Sequence, residues 1–236
     1  MNDQIKRVDM HIDREYEGEL RTLREHLLLM AGLVEEMIAK SVQAVMERNP
    51  VLAKAVIQAD SKVNNDEKEI DELCILVLAK RHPVASDLRF VTQTSKMVID
   101  LERIGDLAVN ISERAVDLSR ETIPPTMTYE EIPPMAILAQ SMVKNAIEAF
   151  VEKDAQKAQL VIDRDDEVDE LYHAVFRKII GNMLKEPKSI EAGIHLQGVA
   201  KLLERIADHS TNLAEQVIFL VKGEDVRHPG KLTTRT

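Results

Sequence analysis

Apolar residues recur along most of the chain at alternating intervals of three and four positions, with charged residues between them. The clearest stripe runs through the segment 97–115 and comprises Met97, Leu101, Ile104, Ala108, Ile111 and Ala115. This spacing places the apolar side chains on one face of an α-helix and is typical of antiparallel helices packed at a shallow angle. No segment shows the sustained period-two alternation of a half-buried strand. The pattern therefore predicts an all-α protein whose apolar stripes form the core.

Prolines mark the ends of the predicted helices. Asn49 and Pro50 are residue types favoured at a helix N-cap and at the first helical position, and Pro83 separates two periodic segments. Paired prolines exclude a continuous helix through the segment 121–134, and Pro187 marks a further break. Six helices are predicted, at about 15–48, 50–81, 84–120, 134–153, 155–184 and 188–222.

The chain contains an internal repeat. A shift of 105 positions aligns 33–64 with 138–169 at nine identical residues of 32. A shift of 102 positions aligns 101–113 with 203–215 at seven identical residues of thirteen. Self-similarity of this extent indicates a duplicated structural unit. We therefore predict two tandem three-helix bundles joined by the proline-rich linker, and the predicted bundles comprise residues 1–123 and 124–236.

Composition and charge narrow the classes of function. The 236 residues include one cysteine, Cys74, so no disulfide forms within the chain and a reducing compartment is expected. A net charge of −10, no tryptophan and seven aromatic residues leave no basic surface and few stacking positions for nucleic acid. No signal-peptide core begins the sequence, and no apolar run approaches the ~20 residues that span a bilayer. We expect a cytoplasmic protein that binds no nucleic acid and does not insert into membranes.

A repeated polar motif provides the candidate site. The sequence "LERIGDLAVN" at 101–110 returns as "LERIADHSTN" at 203–212, and each copy carries two carboxylates and an amide at intervals of four. At this spacing the three side chains form one line on the helix surface, away from the core stripe. The residues are Glu102, Asp106 and Asn110 in the first copy and Glu204, Asp208 and Asn212 in the second.

A second polar line from the neighbouring helix is expected to face the first. If the helices of each half fold back at Pro83 and at Pro187, residues at equal distances from the turn lie level with each other. The level pairs are Asp60 with Asp106 and Asn64 with Glu102 in the first half, and Asp165 with Asp208 and Asp169 with Glu204 in the second. Glu67 and Asp71 continue the first line and are alternative members of it, since the repeat also aligns one heptad away.

Converging carboxylates suggest a cation site. Carboxylates packed together repel each other unless their pKa values rise or a cation holds them. Carboxylate and amide oxygens are hard ligands, which favour magnesium, manganese, calcium or iron, as a divalent or trivalent ion, over a zinc site of cysteine and histidine. The alternative interpretation is a solvated acidic face, because outward positions of bundle helices normally carry Glu and Asp. Both interpretations stay open, and the sequence favours the cation.

Oxygen-rich sites in helical bundles also occur in metal-dependent hydrolases and oxidases, which are the alternative class of function. Such an enzyme needs a positioned general base or an open coordination position. No unpaired base stands out beside the polar lines, so the sequence favours a non-catalytic protein. A structural coiled coil is a third class, and the interruptions at Pro83 and Pro187 argue against it.

The doubled motif, with "ADSKVN" (59–64) and "RDDEVD" (164–169) upstream, resembles the PhoU family, the bacterial accessory and regulatory proteins of phosphate-specific ABC transporters. The resemblance covers nearly the whole chain. It implies a cytoplasmic, homodimeric all-α regulator that lowers phosphate-regulon signalling when phosphate is plentiful. It also implies contacts with the transporter's ATPase subunit and with the phosphate-sensing histidine kinase, and no catalysis.

The resemblance implies metal sites as well. The family is associated with metal ions, including multinuclear iron clusters, held on the bundle surface by Glu/Asp-x-x-x-Asp motifs. Those motifs fall here on Glu102 with Asp106, Glu204 with Asp208, Asp60 with Asn64, and Asp165 with Asp169. The first upstream copy ends in Asn64 instead of an aspartate, so its charge is lower and a weaker site is expected there.

Overall fold

The structure is a computed structural model that describes the backbone of residues 2–121 and 129–226 and the side chains of residues 14–121 and 129–226. The first half contains three helices, α1 (Asn2–Glu47), α2 (Pro50–Arg81) and α3 (Ala85–Leu118). Each helix packs against the other two. The predicted boundary at 123/124 lies outside the described residues.

The second half repeats this arrangement with one local difference. Its helices are α4 (Ile132–Glu152), α5 (Ala155–Asp163), α6 (Asp165–Lys185) and α7 (Ile190–Lys222), with a short 3-10 turn at Pro187–Ser189 before α7. The predicted fifth helix at 155–184 is interrupted at Arg164. There the backbone amide bonds to the carbonyl oxygen of Val161, three residues back, at 3.2 Å. The prediction of an all-α protein built from two sets of three helices is confirmed. Helices α5 and α6 are two segments of the predicted fifth helix.

Equivalent residues cap the second helix of each half. The side chain of Asn49 accepts hydrogen bonds from the backbone amides of Val51 and Leu52, both at 3.1 Å. Asp154, 105 positions further on, accepts from the amides of Gln156 at 2.8 Å and Lys157 at 3.1 Å. Both caps satisfy amides that have no partner within the first helical turn, so the predicted cap at Asn49 is confirmed and the repeat reproduces it.

One core runs through both halves. The predicted stripe of α3 is fully buried at Met97, Leu101, Ile104, Ala108, Ile111 and Ala115. Helix α3 also packs along α7 of the other half, and the rings of Phe90 and Phe150 stack between α3 and α4 with centroids 5.6 Å apart. Burial of apolar surface between the halves contributes to folding in the same way as burial within each bundle.

Two further features concern the cysteine and the length of the apolar segments. Cys74 is buried in α2, and burial raises the pKa of its thiol to about 12, which keeps it protonated and unreactive. In the part of the chain that the structure describes, no helix combines the length and the apolar character that crossing a membrane requires.

Candidate cation-binding clusters

The first acidic cluster lies between α2 and α3 and consists of Asp60, Asn64, Glu102 and Asp106. Asn64 donates a hydrogen bond from Nδ2 to Oδ2 of Asp60, 2.9 Å away, which ties the two upstream members together. Arg103 lies outside the cluster, with its guanidinium 3.5 Å from the carboxylate of Glu102 and 3.6 Å from that of Asp106. Across the turn at Pro83, the charge of Asp106 acts on Asp60, so these two residues lie near each other as the sequence predicts.

Burial and mutual repulsion raise the pKa values of two carboxylates in this cluster. The pKa of Asp60 is raised by burial first and by the charge of Asp106 second, although the hydrogen bond from Asn64 opposes the rise. The pKa of Glu102 is raised by burial and then by Asp106, against the lowering effect of Arg103. Asp60 also contributes to the raised pKa of Glu102. Both carboxylates therefore favour a positive neighbour, because a desolvated carboxylate is costly when it is ionised.

Two oxygen atoms of the first cluster receive no hydrogen bond from the part of the chain that the structure describes. Oδ1 of Asp60 and Oδ1 of Asn64 are both buried, and neither has a partner among the described residues. Buried polar atoms are nearly always paired in folded proteins, and leaving one unpaired costs about 1–3 kcal/mol. Both atoms are hard oxygen acceptors, so a small cation or a water molecule is the partner that fits them.

The second acidic cluster lies between α6 and α7 and consists of Asp165, Asp169, Glu204 and Asp208. The pKa of Asp165 is raised to about 6 by burial and then by Asp208 and Asp169. The pKa of Asp208 is raised by burial and then by Glu204, although Lys201 opposes the rise. Lys201 is the cationic neighbour of this cluster, with its ammonium 2.6 Å from the Glu204 carboxylate. His209 also lowers the pKa of Asp208, and four carboxylates therefore lie near two basic residues.

Of the two asparagines of the repeated motif, one forms its hydrogen bond away from its cluster. Asn110 is exposed on α3. Asn212 donates from Nδ2 to Oδ1 of Asp100, 3.3 Å away on the neighbouring helix of the other half. In the second copy of the motif, the carboxylates therefore belong to the cluster, whereas the amide of Asn212 bonds to α3.

The two alternative members of the upstream line, Glu67 and Asp71, have different surroundings in the structure. The charge of Glu67 raises the pKa of Glu102, so Glu67 lies at the edge of the first cluster. Asp71 instead accepts a hydrogen bond from the hydroxyl of Ser95 at 2.7 Å. Glu67 thus extends the cluster beside Asp60 and Asn64, and Asp71 is engaged elsewhere.

Close approach of the helices at the first cluster depends on Gly105. A Cβ atom on Gly105 would lie 3.3 Å from Cγ1 of Val63, so this position of α3 touches α2 directly. Ala207, at the equivalent position of α7, is also fully buried. Small residues at this position bring the polar lines on either side of the contact near each other.

Sequence reasoning missed a polar contact between the halves. Asp100 of α3 lies 2.9 Å from Nδ1 of His209 and accepts a hydrogen bond from Nε2 of Gln216 at 3.2 Å, both on α7. The partners are more than 100 positions apart along the chain. No periodicity within one helix signals such a contact, because it depends on how α3 and α7 pack.

The donor set can be compared with the requirements of a metal site. All cluster members offer oxygen atoms, which suits a hard cation. Among the side chains that the structure describes, no three Asp, Glu, His or Cys groups are gathered closely enough to hold a metal as they stand. The residues fit the chemistry of a hard cation, and the carboxylates would have to rotate inward to coordinate it.

Fold and clusters together define an all-α protein of two tandem helical bundles, each with an acidic cluster between its last two helices. A family model described as "PhoU domain" matches residues 27–115 and again 132–217. The chain is 41% identical over 220 residues to the phosphate-specific transport system accessory protein PhoU homolog of Pseudomonas putida, covering 93% of this chain and 86% of that protein. The accessory protein PhoU of Escherichia coli is 33% identical over 224 residues, covering 94% and 92%. The chain belongs to the PhoU family.

Solved structures agree with this assignment. The crystal structure of PhoU from Pseudomonas aeruginosa superposes with a TM-score of 0.84 at 40% identity, covering 89% of this chain and all of that one. The phosphate transport system regulatory protein PhoU from Streptococcus pneumoniae superposes with a TM-score of 0.82 at 30% identity, covering 90% and 100%. The resemblance on the doubled motif is thereby confirmed across both halves.

Proposed function

We propose that this protein is a cytoplasmic, homodimeric regulator of phosphate uptake that lowers phosphate-regulon signalling by contact with the phosphate ABC transporter and its sensor kinase. The observation that carries the proposal is similarity to named accessory proteins of phosphate-specific transport systems over more than nine-tenths of the chain. The partners are the transporter's ATPase subunit and the phosphate-sensing histidine kinase. The protein acts by binding and is not an enzyme.

We propose further that each acidic cluster holds a divalent or trivalent cation. Support comes from the two buried oxygens of the first cluster that have no donor among the described residues. It also comes from the raised pKa values of Asp60, Glu102, Asp165 and Asp208, which burial raises first and neighbouring carboxylates raise further. A bound cation would supply the positive charge that the ionised carboxylates lack. Iron, magnesium, manganese and calcium all suit these ligands.

The regulatory part of the proposal is tested by capture of the partners. The tagged full-length protein is incubated separately with the purified ATPase subunit and with the cytoplasmic part of the sensor kinase from the same organism. We expect both to be retained, and we expect the protein to elute as a dimer in light-scattering measurements. Retention of neither partner would contradict the proposed mechanism and leave family membership as the only statement about function.

The cation part is tested by elemental analysis of the purified protein before and after a chelator. Wild type is compared with Glu102→Ala/Glu204→Ala, which removes one ligand from each cluster. The matched control is Glu113→Ala/Glu191→Ala, which removes two exposed glutamates from the same two helices. We expect the metal content to fall in the cluster variant alone. Equal and negligible metal in all three proteins would contradict the proposal.

A further inference from the structure

A cavity of about 400 Å³ lies between α1 and α2, and a smaller one of about 220 Å³ lies where both halves of the protein meet. Elements from four helices line the smaller cavity: the middle of α1, the first turn of α3, the end of α4 and the end of α7. Its charged and polar lining residues are Arg24, Ser86, Asp87, Arg89 and Lys153. Three cations and one carboxylate give this cavity a positive charge, in a chain whose net charge is −10.

Arg24 has a buried donor that no described residue satisfies. Its guanidinium carbon lies 5.4 Å from the centre of the Phe90 ring, which holds the group against the cavity wall by a cation–π contact. Its Nε atom is buried and has no hydrogen-bond acceptor among the described residues. A guanidinium is always charged and presents a planar fork of donors that matches an oxyanion. Because Arg24 lines the cavity, its guanidinium is the group that a ligand with negatively charged oxygens would meet there.

The other two cations complete the positive lining. Arg89 donates from Nε to the carbonyl oxygen of Leu220 at 3.2 Å, so it covers the negative end of α7. Lys153 ends α4 in a left-handed conformation with φ of 54° and is exposed at the cavity mouth. Within the described part of the chain Lys153 makes no ion pair.

Asp87 distinguishes one class of oxyanion from another. Its Oδ2 atom accepts a hydrogen bond from the hydroxyl of Tyr16 at 2.9 Å, so its carboxylate is fixed within the lining. A carboxylate repels a fully deprotonated anion such as sulfate. Phosphate near neutral pH carries at least one proton, and its P–OH group can donate a hydrogen bond to the carboxylate. The lining thus combines donors for charged oxygens with one acceptor for a hydroxyl.

We propose that this cavity binds a protonated phosphate-type oxyanion, with the guanidinium of Arg24 and the ammonium of Lys153 on its charged oxygens and the carboxylate of Asp87 on its hydroxyl. Ligand pockets for drug-sized molecules measure about 300–1,000 Å³, so a cavity of this size suits a smaller ligand. Because the lining comes from both halves, the bound anion would link them. Binding of an oxyanion follows from the residues of the cavity, whereas the choice of phosphate as its physiological form rests on the proposed function.

The test is isothermal titration calorimetry of the full-length protein with inorganic phosphate, in a buffer free of phosphate and sulfate. Wild type is expected to bind saturably. Arg24→Gln and, independently, Lys153→Gln are expected to weaken binding by roughly tenfold or more, the usual effect of losing a charged hydrogen-bond partner. Arg21→Gln is the matched control, since Arg21 lies one turn before Arg24 on α1 with its side chain 75% exposed. Circular dichroism establishes that each variant is folded.

Selectivity supplies a second readout. Wild type is expected to prefer phosphate to sulfate, and Asp87→Asn is expected to reduce that preference by binding sulfate more tightly. No saturable phosphate binding by wild type, or equal binding by wild type and both cavity variants, would overturn the proposal. Phosphate binding without capture of the transport partners would support the cavity and contradict the proposed function, and the reverse result would do the opposite.

Discussion

Asp100 and His209 join the two halves of the protein, with Oδ1 of Asp100 2.9 Å from Nδ1 of His209. Asn212 and Gln216 also donate hydrogen bonds to the same carboxylate, at 3.3 and 3.2 Å. The side chain of Asp100 is only 13% exposed, so three polar groups of α7 depend on one acceptor of α3. The tandem bundles are therefore connected by a directional polar contact as well as by their shared core.

Substitution of Asp100 tests that connection. Asp100→Ala leaves three donors of α7 without their common acceptor, and we expect it to lower the free energy of unfolding by about 1–3 kcal/mol. Urea denaturation followed by circular dichroism measures the change. Glu113→Ala, an exposed residue of the same helix, is the control and is expected to stay within about 0.5 kcal/mol of wild type. Equal stability of both variants would show that the contact contributes nothing.

The second acidic cluster predicts a pH dependence of stability in the metal-free protein. Burial and the neighbouring carboxylates raise the pKa of Asp165 from 3.8 to about 6. Between those values the folded protein keeps a proton that the unfolded chain has released, so the free energy of unfolding falls as the pH rises through this range. Asp165→Asn removes this loss. We expect the variant to exceed wild type in stability at pH 7 and to lose that advantage near pH 4.

Thermal unfolding in the presence of a chelator at both pH values measures this effect. Asp163→Asn, two residues earlier and exposed, is the control and is expected to show no such pH-dependent advantage. An advantage of Asp165→Asn that is the same at both pH values would assign its effect to packing. Addition of a binding cation at pH 7 is expected to stabilise wild type more than the variant, because the variant has lost a charged ligand.

The helix caps can be tested through the repeat itself. Asn49→Ala removes the acceptor of two amides at the start of α2, and we expect a loss of about 1 kcal/mol in the free energy of unfolding. Asn49→Asp supplies the residue that stands at the equivalent position 154, so we expect it to be close to neutral. Urea denaturation distinguishes the two. A loss of similar size in both variants would show that the amide group, and not capping, is what matters.

Gly105 offers a steric test of the contact between α2 and α3. Gly105→Leu places a large side chain where even a Cβ atom would lie 3.3 Å from Val63, and we expect a loss of about 1–3 kcal/mol through overpacking. In Gly105→Ala, the gain in helix propensity opposes the tight contact, so the net change is expected to be small. Thermal denaturation measures both. A stable Gly105→Leu variant would show that the helices separate easily at this point.

The sequence predicts most of the fold because its local signals agree. Prolines and caps mark the turns at Asn49, Pro83 and Pro187, and the apolar stripe of α3 identifies the buried face. The positions of the turns also fix the register of the polar lines. For that reason Asp60 lies near Asp106, and Asp165 lies near Asp208. The break at Arg164 was not predictable in this way, since no proline or glycine accompanies it.

Contacts between the halves lie beyond the reach of local patterns. The heptad pattern says which face of α3 is buried but not that α7 of the other half covers part of it. For that reason Asn212, predicted to face the acidic cluster, instead bonds to Asp100. The positively charged cavity is a similar case. Arg24 and Lys153 are distant in sequence, and the residues next to each of them do not indicate that both line one cavity.

The most direct test of the central claim, that each acidic cluster holds a cation, is an anomalous difference map from crystals of the protein grown with Mn²⁺. We predict one or more peaks between α2 and α3, within coordination distance of Asp60 and Glu102, and one or more between α6 and α7, beside Asp165 and Asp208. A well-ordered map without a peak at either place, or with manganese bound only elsewhere, would contradict the claim and assign both clusters to the solvated surface.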